Sequence, residues 1–262
     1  MSTKPSPISI ARWRTPKTAA DGGTDMKNAK RKVAAMVTMS VMLVPGVAVA
    51  NDTHGTSTSK SNTTTATFDG YRAMCVKSIT DRQTRLDRAA AAVANSPDAR
   101  DAQLTAIILV SKSSLIALQA EIDSDTGDLA ALKEDCKRIV TDNRIYALRL
   151  PQINLVMSVD RLNASSVKFD ALHAQLVAAI AEANAAGDPD ATEATETLTK
   201  LEAKLASAKA TLDGIDVNAL RAITPADYNA NKKVLQPYLQ AVRSAHSDVK
   251  KAAKSAKYIA QL

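Results

Sequence analysis

Aromatic residues are scarce: two Phe, five Tyr and one Trp among 262 residues. A core must therefore be built from aliphatic side chains, in thin Ala/Leu seams rather than around rings. Glycine is sparse too, with eight residues that fall at turns. Of the three histidines, His54, His173 and His246, no two have metal-ligand spacing, and two cysteines far apart in sequence do not make a zinc site. No nucleophile elbow, phosphate-binding loop or dinucleotide fingerprint occurs. The run Asp123-Ser124-Asp125-Thr126-Gly127-Asp128, with Glu134 following, approaches a calcium loop. Gly127 stands where a ligand should be, however, and Asp128 where the glycine turn should be. A capped inter-helix turn accounts for the same residues. Catalytic, cofactor-binding and metal-ligating residues are accordingly expected to be none, and an enzyme is not expected.

Charge of one sign is lacking once the chain is divided. The formal net charge is +7, but residues 1–50 hold eight of the 34 basic and two of the 27 acidic residues. Residues 51–262 are left with 26 against 25, or about +1. The basic balance is thus concentrated in the first fifty residues and argues for no nucleic-acid partner.

Long apolar runs are missing as well. The apolar segment Val33–Val44 is too short to span a bilayer. Lys27, Lys30, Arg31 and Lys32 precede it, Pro45-Gly46 ends it, and Ala48-Val49-Ala50 follows with small residues. This is the pattern of a secretory signal over 26–50, with cleavage expected between Ala50 and Asn51. An uncleaved anchor is the other reading. Residues 1–25 carry Pro5, Pro7, Pro16, Gly22 and Gly23 without periodicity, so they are expected to be unfolded. Either Met26 is the true start or residues 1–25 extend the positive n-region. Residues 51–67 are rich in Ser and Thr and read as a solvated tether. Three sites, at Asn51, Asn62 and Asn163, match the N-glycosylation pattern.

What remains is helical periodicity, in a chain long enough for two small domains. Helix one, from about Phe68 to Asn95, has the stripe Cys75, Ile79, Arg82, Leu86, Ala89, Val93, with Arg82 snorkelling to the edge. Ser96-Pro97 caps helix two, whose stripe is Leu104, Ile108, Ser111, Leu115, Leu118, Ile122. The run Ile107–Val110 widens its apolar face, so it is expected to be the most buried of the first three helices. A long central element follows over about 128–186, kinked near Pro151, where the ring crowds the preceding turn. Its first half carries Leu129, Leu132, Cys136, Ile139, Asn143, Tyr146, Leu150. Its second half carries Leu155, Val159, Leu162, Ser166, Phe169, His173, Leu176, Ile180, Ala183, which leaves Met157 and Asp160 off the seam. Asp188 and Pro189 open a helix with heptad-spaced Ala194, Leu198, Leu201, Leu205, Ala208, Leu212. After a short connector over 216–223, Thr224-Pro225-Ala226-Asp227 opens the last helix, which Pro237 bends or splits.

The expected fold class is all-α: two up-down-up three-helix bundles in tandem, 68–150 and 151–262, sharing the central helix in a spectrin-like layout. In such a layout helix one and the central element start at the same end. Cys75 and Cys136 then stand at one height on apolar stripes, and in an oxidising compartment a Cys75–Cys136 disulfide is expected, against two buried thiols. The last helix is the one charge-biased segment, with Arg243, Lys250, Lys251, Lys254 and Lys257 against Asp248. Anionic wall polymers or lipid headgroups would suit that face, while a solvated bundle face is the plainer reading.

Two blocks carry a resemblance. Ile223-Thr224-Pro225-Ala226-Asp227-Tyr228-Asn229-Ala230-Asn231-Lys232 and Asp135-Cys136-Lys137-Arg138-Ile139, with Asp142, Arg144, Tyr146 and Pro151, resemble secreted helical, coiled-coil-like proteins of Gram-positive-type bacteria, a group without assigned activity. The resemblance implies an exported, envelope-associated helical protein. The chain ends at Ala260-Gln261-Leu262 with no sorting motif or membrane tail, so release or non-covalent retention is expected, with no transmembrane span after processing. The expected role is a secreted spacer, adaptor or interaction module whose partner is a protein or an anionic wall polymer; binding of anionic polymers through the last helix is the alternative.

Overall fold

The computed structural model describes residues 67–96 and 101–262. The expected extension 1–25, the signal 26–50, the Ala50–Asn51 bond, His54, Asn62, Pro97 and the tether up to residue 66 lie outside the described residues. Every regular element among the described residues is helical: α1 (Phe68–Ala94), α2 (Asp101–Ser124), α3 (Leu129–Thr141), a π-helical turn (Ile145–Arg149), α4 (Leu150–Ala185), α5 (Ala191–Asp213), α6 (Val217–Ala222), α7 (Pro225–Ala230) and α8 (Gln236–Ile259).

The apolar periodicity decides which sides face inward. Cys75, Ile79, Leu86 and Val93 of α1 are buried, and all six stripe residues of α2 are buried with them. α1 packs on α2 and α3, while α4 packs on α5 and α8. The α5–α8 pairing is the most extensive, because Ala194 and Ala208 meet a column of Ala245, Ala252, Ala253 and Ala256, all buried. Small side chains there let two helices approach closely along their length.

α2 has six buried positions against four in α1, but its widened apolar face is not covered: Leu109, Val110 and Ile116 are 58, 66 and 57% exposed. The run Ile107–Val110 spans more than a full turn, and α1 and α3 cover only one side of it, so residues about 100° off the stripe remain outside. By length and composition α2 is the one described helix apolar enough to cross a membrane. Its Leu104–Ile122 stripe nonetheless belongs to the packed core.

The central element is interrupted, and not by a kink at Pro151. α3 ends at Thr141, and Arg144 adopts the left-handed conformation at φ 46°, the one non-glycine to do so among the described residues. The chain then re-enters a helix through the π turn. Leu148 and Arg149 both donate to the Arg144 carbonyl, at 2.8 and 3.2 Å. Pro151 lies in the first turn of α4, which runs unbroken to Ala185. The widened π turn directly before Pro151 eases the clash of its ring with the carbonyl four residues back. The break falls at the residue whose backbone reverses hand.

Met157 and Asp160, left off the seam above, are also corrected: both are buried, and of residues 152–160 Asn154 alone is exposed. α4 contacts α1, the π turn and α6 as well as α5 and α8, so more than one side of the helix is covered. Leu172, absent from the expected stripe, is buried. The last helix is split as Pro237 allows: α7 ends at Ala230 and α8 begins at Gln236. The helix expected from Asp188 starts two residues later, with Asp188 accepting from the Asp190 N–H at 3.0 Å.

One acid sits in the α5–α8 seam. Asp248 is buried and accepts from the Ser207 hydroxyl at 2.7 Å, with Lys204 at 3.3 Å and Lys251 at 3.9 Å. The Ser207 hydrogen bond, then the two ammonium groups, hold its carboxyl below the usual range despite burial. A lowered folded pKa gives stability that is present above the unfolded value, about 4, and is lost as pH falls through the folded value. Asp248→Asn should therefore unfold more readily than the parent at pH 7, and the gap should close below about pH 4 in urea titrations. A gap that persists unchanged into acid would refute this role.

Candidate functional site

Cys75 and Cys136 are disulfide-bonded, with their Cα atoms 5.6 Å apart. The bond ties α1 to α3 within the apolar core.

The other residues weighed from sequence are dispersed. His173 pairs with Glu202 through Nε2 at 2.6 Å on a half-exposed surface, and His246 is half-buried on α8. Asp128 caps α3, accepting from the Ala130 N–H at 2.8 Å, and the Asp125 carbonyl accepts from Arg72. Gly127, at φ 115°, makes the turn that links them. Among the described residues no three His, Cys, Asp or Glu converge as metal ligands. A cavity of about 50 Å³ between α4, α5 and α8, lined by Leu176, Ile180, Ala194 and Ile259, has room for a few waters.

The basic residues of α8 are brought together on one side. Arg243, Lys250, Lys251, Lys254 and Lys257 are all exposed, opposite the alanine column. Arg243, Lys250, Lys254 and Lys257 recur at intervals of seven, four and three, which is a single helical stripe. Lys251 leans toward Asp248. None of the other four makes an ion pair among the described residues.

A second cationic group arises where the two resembling blocks meet, a juxtaposition that spacing alone does not reveal. Gln152 is fully buried, and its amide donates to the carbonyls of Leu220, Arg221 and Ile223 at 2.7, 3.0 and 3.2 Å. Arg149 donates to the Gln152 side-chain oxygen and to the Ile223 carbonyl, each at 3.0 Å. This clamp satisfies the last carbonyls of α6, which its own turn leaves open. Burial pushes the Arg149 guanidinium below its ordinary value. Arg82 is half-buried 5.0 Å over the Tyr146 ring, and burial lowers it too, with Tyr146 and Asp81 pulling the other way.

On the surface above this clamp, α7 docks against the break. Asn229 donates to the Thr141 carbonyl at 2.9 Å and accepts from Arg144 Nε at 2.6 Å and Lys232 Nζ at 3.3 Å. Arg144 and Lys232 both approach the Tyr228 ring, at 5.7 and 5.2 Å from its centre. The left-handed backbone of Arg144 costs about 1–2 kcal/mol relative to glycine. A sequence signal for this group existed only in outline: Arg144, Tyr228, Asn229 and Lys232 all fall within the two blocks, but nothing in their spacing pairs them.

Comparisons with family models, with curated proteins and with solved structures find no match to this chain.

Proposed function

We propose that this chain is an exported, non-enzymatic helical protein that serves the cell envelope as a spacer or adaptor. Its layout is two up-down-up three-helix bundles in tandem, 68–150 and 151–262, joined through α4. The observation that carries this reading is the packing pattern. α1, α2 and α3 cluster on one side of the break and α4, α5 and α8 on the other, and α4, about 54 Å long, reaches both. The disulfide supports export, because such bonds persist in oxidising compartments. The resemblance of the 135–151 and 223–232 blocks to secreted helical proteins agrees with it.

Intact-mass analysis of the exported protein, with and without reductant, tests the reading. The expected product begins at Asn51 and gains the mass of two hydrogens on reduction. A product that keeps residues 26–50, or alkylation of both thiols without reductant, would overturn export and pairing respectively. X-ray scattering should give an elongated particle; a single compact sphere would remove the tandem layout.

A second reading is favoured by the α8 stripe: adhesion to anionic wall polymers through Arg243, Lys250, Lys254 and Lys257, with Lys251 beside them. Cations near an anionic surface contribute roughly 1 kcal/mol each and are screened by salt. Retention on isolated cell walls should vanish at high salt, and Lys250/Lys251/Lys254/Lys257→Gln should weaken it about tenfold or more. Retention unaffected by both salt and substitution would exclude the stripe.

A further inference from the structure

The geometry points to a second, discrete anion site at the break between α3 and α4: a pair of cationic donors for one phosphate group, Arg144 and Lys232, held by the Asn229 side-chain oxygen over the Tyr228 ring. It does not rest on the α8 stripe or on the envelope role.

Three observations converge. First, Arg144 Nε and Lys232 Nζ share one neutral acceptor, the Asn229 oxygen, at 2.6 and 3.3 Å. The two cationic nitrogens are therefore within about 6 Å, close enough for like charges to disfavour each other. Neither makes an ion pair among the described residues. The acids adjacent in sequence are otherwise engaged. Asp142 is taken by Arg138 and by the Thr141 hydroxyl, and Asp227 closes the capping box of α7 with Thr224.

Second, Arg144 stands at the N-terminus of the helical run Ile145–Ala185, where the positive end of the helix dipole is met in most proteins by an acid. Here the first turn holds no acidic residue, and Arg144 and Arg149 bring positive charge instead. Third, Arg144 reaches this place only through a left-handed backbone, and strained residues of this kind gather where a side chain must be aimed.

The unused donors specify the ligand class. With Nε given to Asn229, Arg144 keeps its two terminal nitrogens, a fork that takes two oxygens of an oxyanion. Lys232 keeps further N–H groups for an oxygen arriving from another direction. Two oxygens for the fork and a third for Lys232, out of the plane of the fork, match a tetrahedral phosphate, whereas a carboxylate has only the two oxygens of the fork. Arg144 and Lys232 also remain over Tyr228, which holds them in place by cation–π attraction.

The test is an NMR titration of the exported protein with inorganic phosphate, dimethyl phosphate and acetate, each balanced by chloride to constant ionic strength. The Asn229 side-chain amide and the Ile145–Ala147 backbone amides should shift saturably with inorganic phosphate and no more than weakly with acetate. An equal response to dimethyl phosphate identifies phosphodiesters as the source; its absence identifies free phosphate. Lys232→Gln, at an exposed position, should weaken phosphate binding about fivefold or more. Arg144→Gly relieves the backbone while removing the fork, so it should fold and lose the response. Lys257→Gln on α8 should leave it unchanged. Linear shifts matching those of chloride, an equal response to acetate, or wild-type binding by Lys232→Gln and Arg144→Gly would each overturn the site.

Discussion

A Cys75→Ala/Cys136→Ala protein should unfold with about 4 kcal/mol less free energy than the parent. The bond joins residues 61 apart in sequence, and closing a loop of that length removes roughly this much from the unfolded chain on the loop-entropy account. Both cysteines are buried, so the alanines add small cavities on the same side of the ledger. Typical domains have only about 5–15 kcal/mol in total, which makes the effect large. Urea unfolding of parent and variant, and of the parent with reductant, measures it. Reduction should bring the parent close to the variant. A difference under about 1 kcal/mol would mean that packing alone holds α1 to α3 and that the cross-link constrains little.

The second large effect belongs to Gln152→Leu, for which a loss of about 3–5 kcal/mol is expected. Leucine is close to glutamine in volume, so the packing term is small and the loss reports hydrogen bonding. Three carbonyls, of Leu220, Arg221 and Ile223, lose their shared donor, and Arg149 loses one of its two acceptors while remaining half-buried. Buried groups left unpaired cost more than a paired bond contributes. The change should also loosen α6 and α7, detectable as faster amide exchange over 217–230. A loss below about 1 kcal/mol would show that the clamp is replaced by water.

Periodicity made most of the helices legible. The α1 stripe fails only at Arg82 and Ala89, both half-buried, and the α2 stripe is buried at every position. Turn chemistry was equally readable at Thr224, whose capping box with Asp227 forms as the residue types require. The misplacements share one origin. A stripe read from sequence assumes one buried side, but the first turns of α4 are covered on more than one side, so Asp160 and Met157 enter the interior. At α2 the widened apolar face did not bring wider burial, because its neighbours cover only the side of the stripe.

The break shows the limit most clearly. Proline announces itself in sequence, and Pro151 drew the kink, yet the chain breaks earlier, at Arg144, and the widened π turn before the ring eases its clash. Arg144 carries no sequence mark for a left-handed backbone; the conformation is sustained by contacts with Asn229, 85 residues away. The candidate site shares this character, since each of its side chains is ordinary and only their meeting is unusual.

The sequence by itself therefore determined that the regular elements of the described chain are helices, most of the sides they turn inward, and the pairing of Cys75 with Cys136. Those follow from local periodicity and from the places of the cysteines on their apolar stripes, quantities that a linear pattern contains. Only the tertiary structure decided where the central element breaks, which apolar side of α2 stays uncovered, and that Arg144 and Lys232 converge on one ring. Each of these depends on contacts between segments remote in the chain, whose energies no single stretch of residues carries.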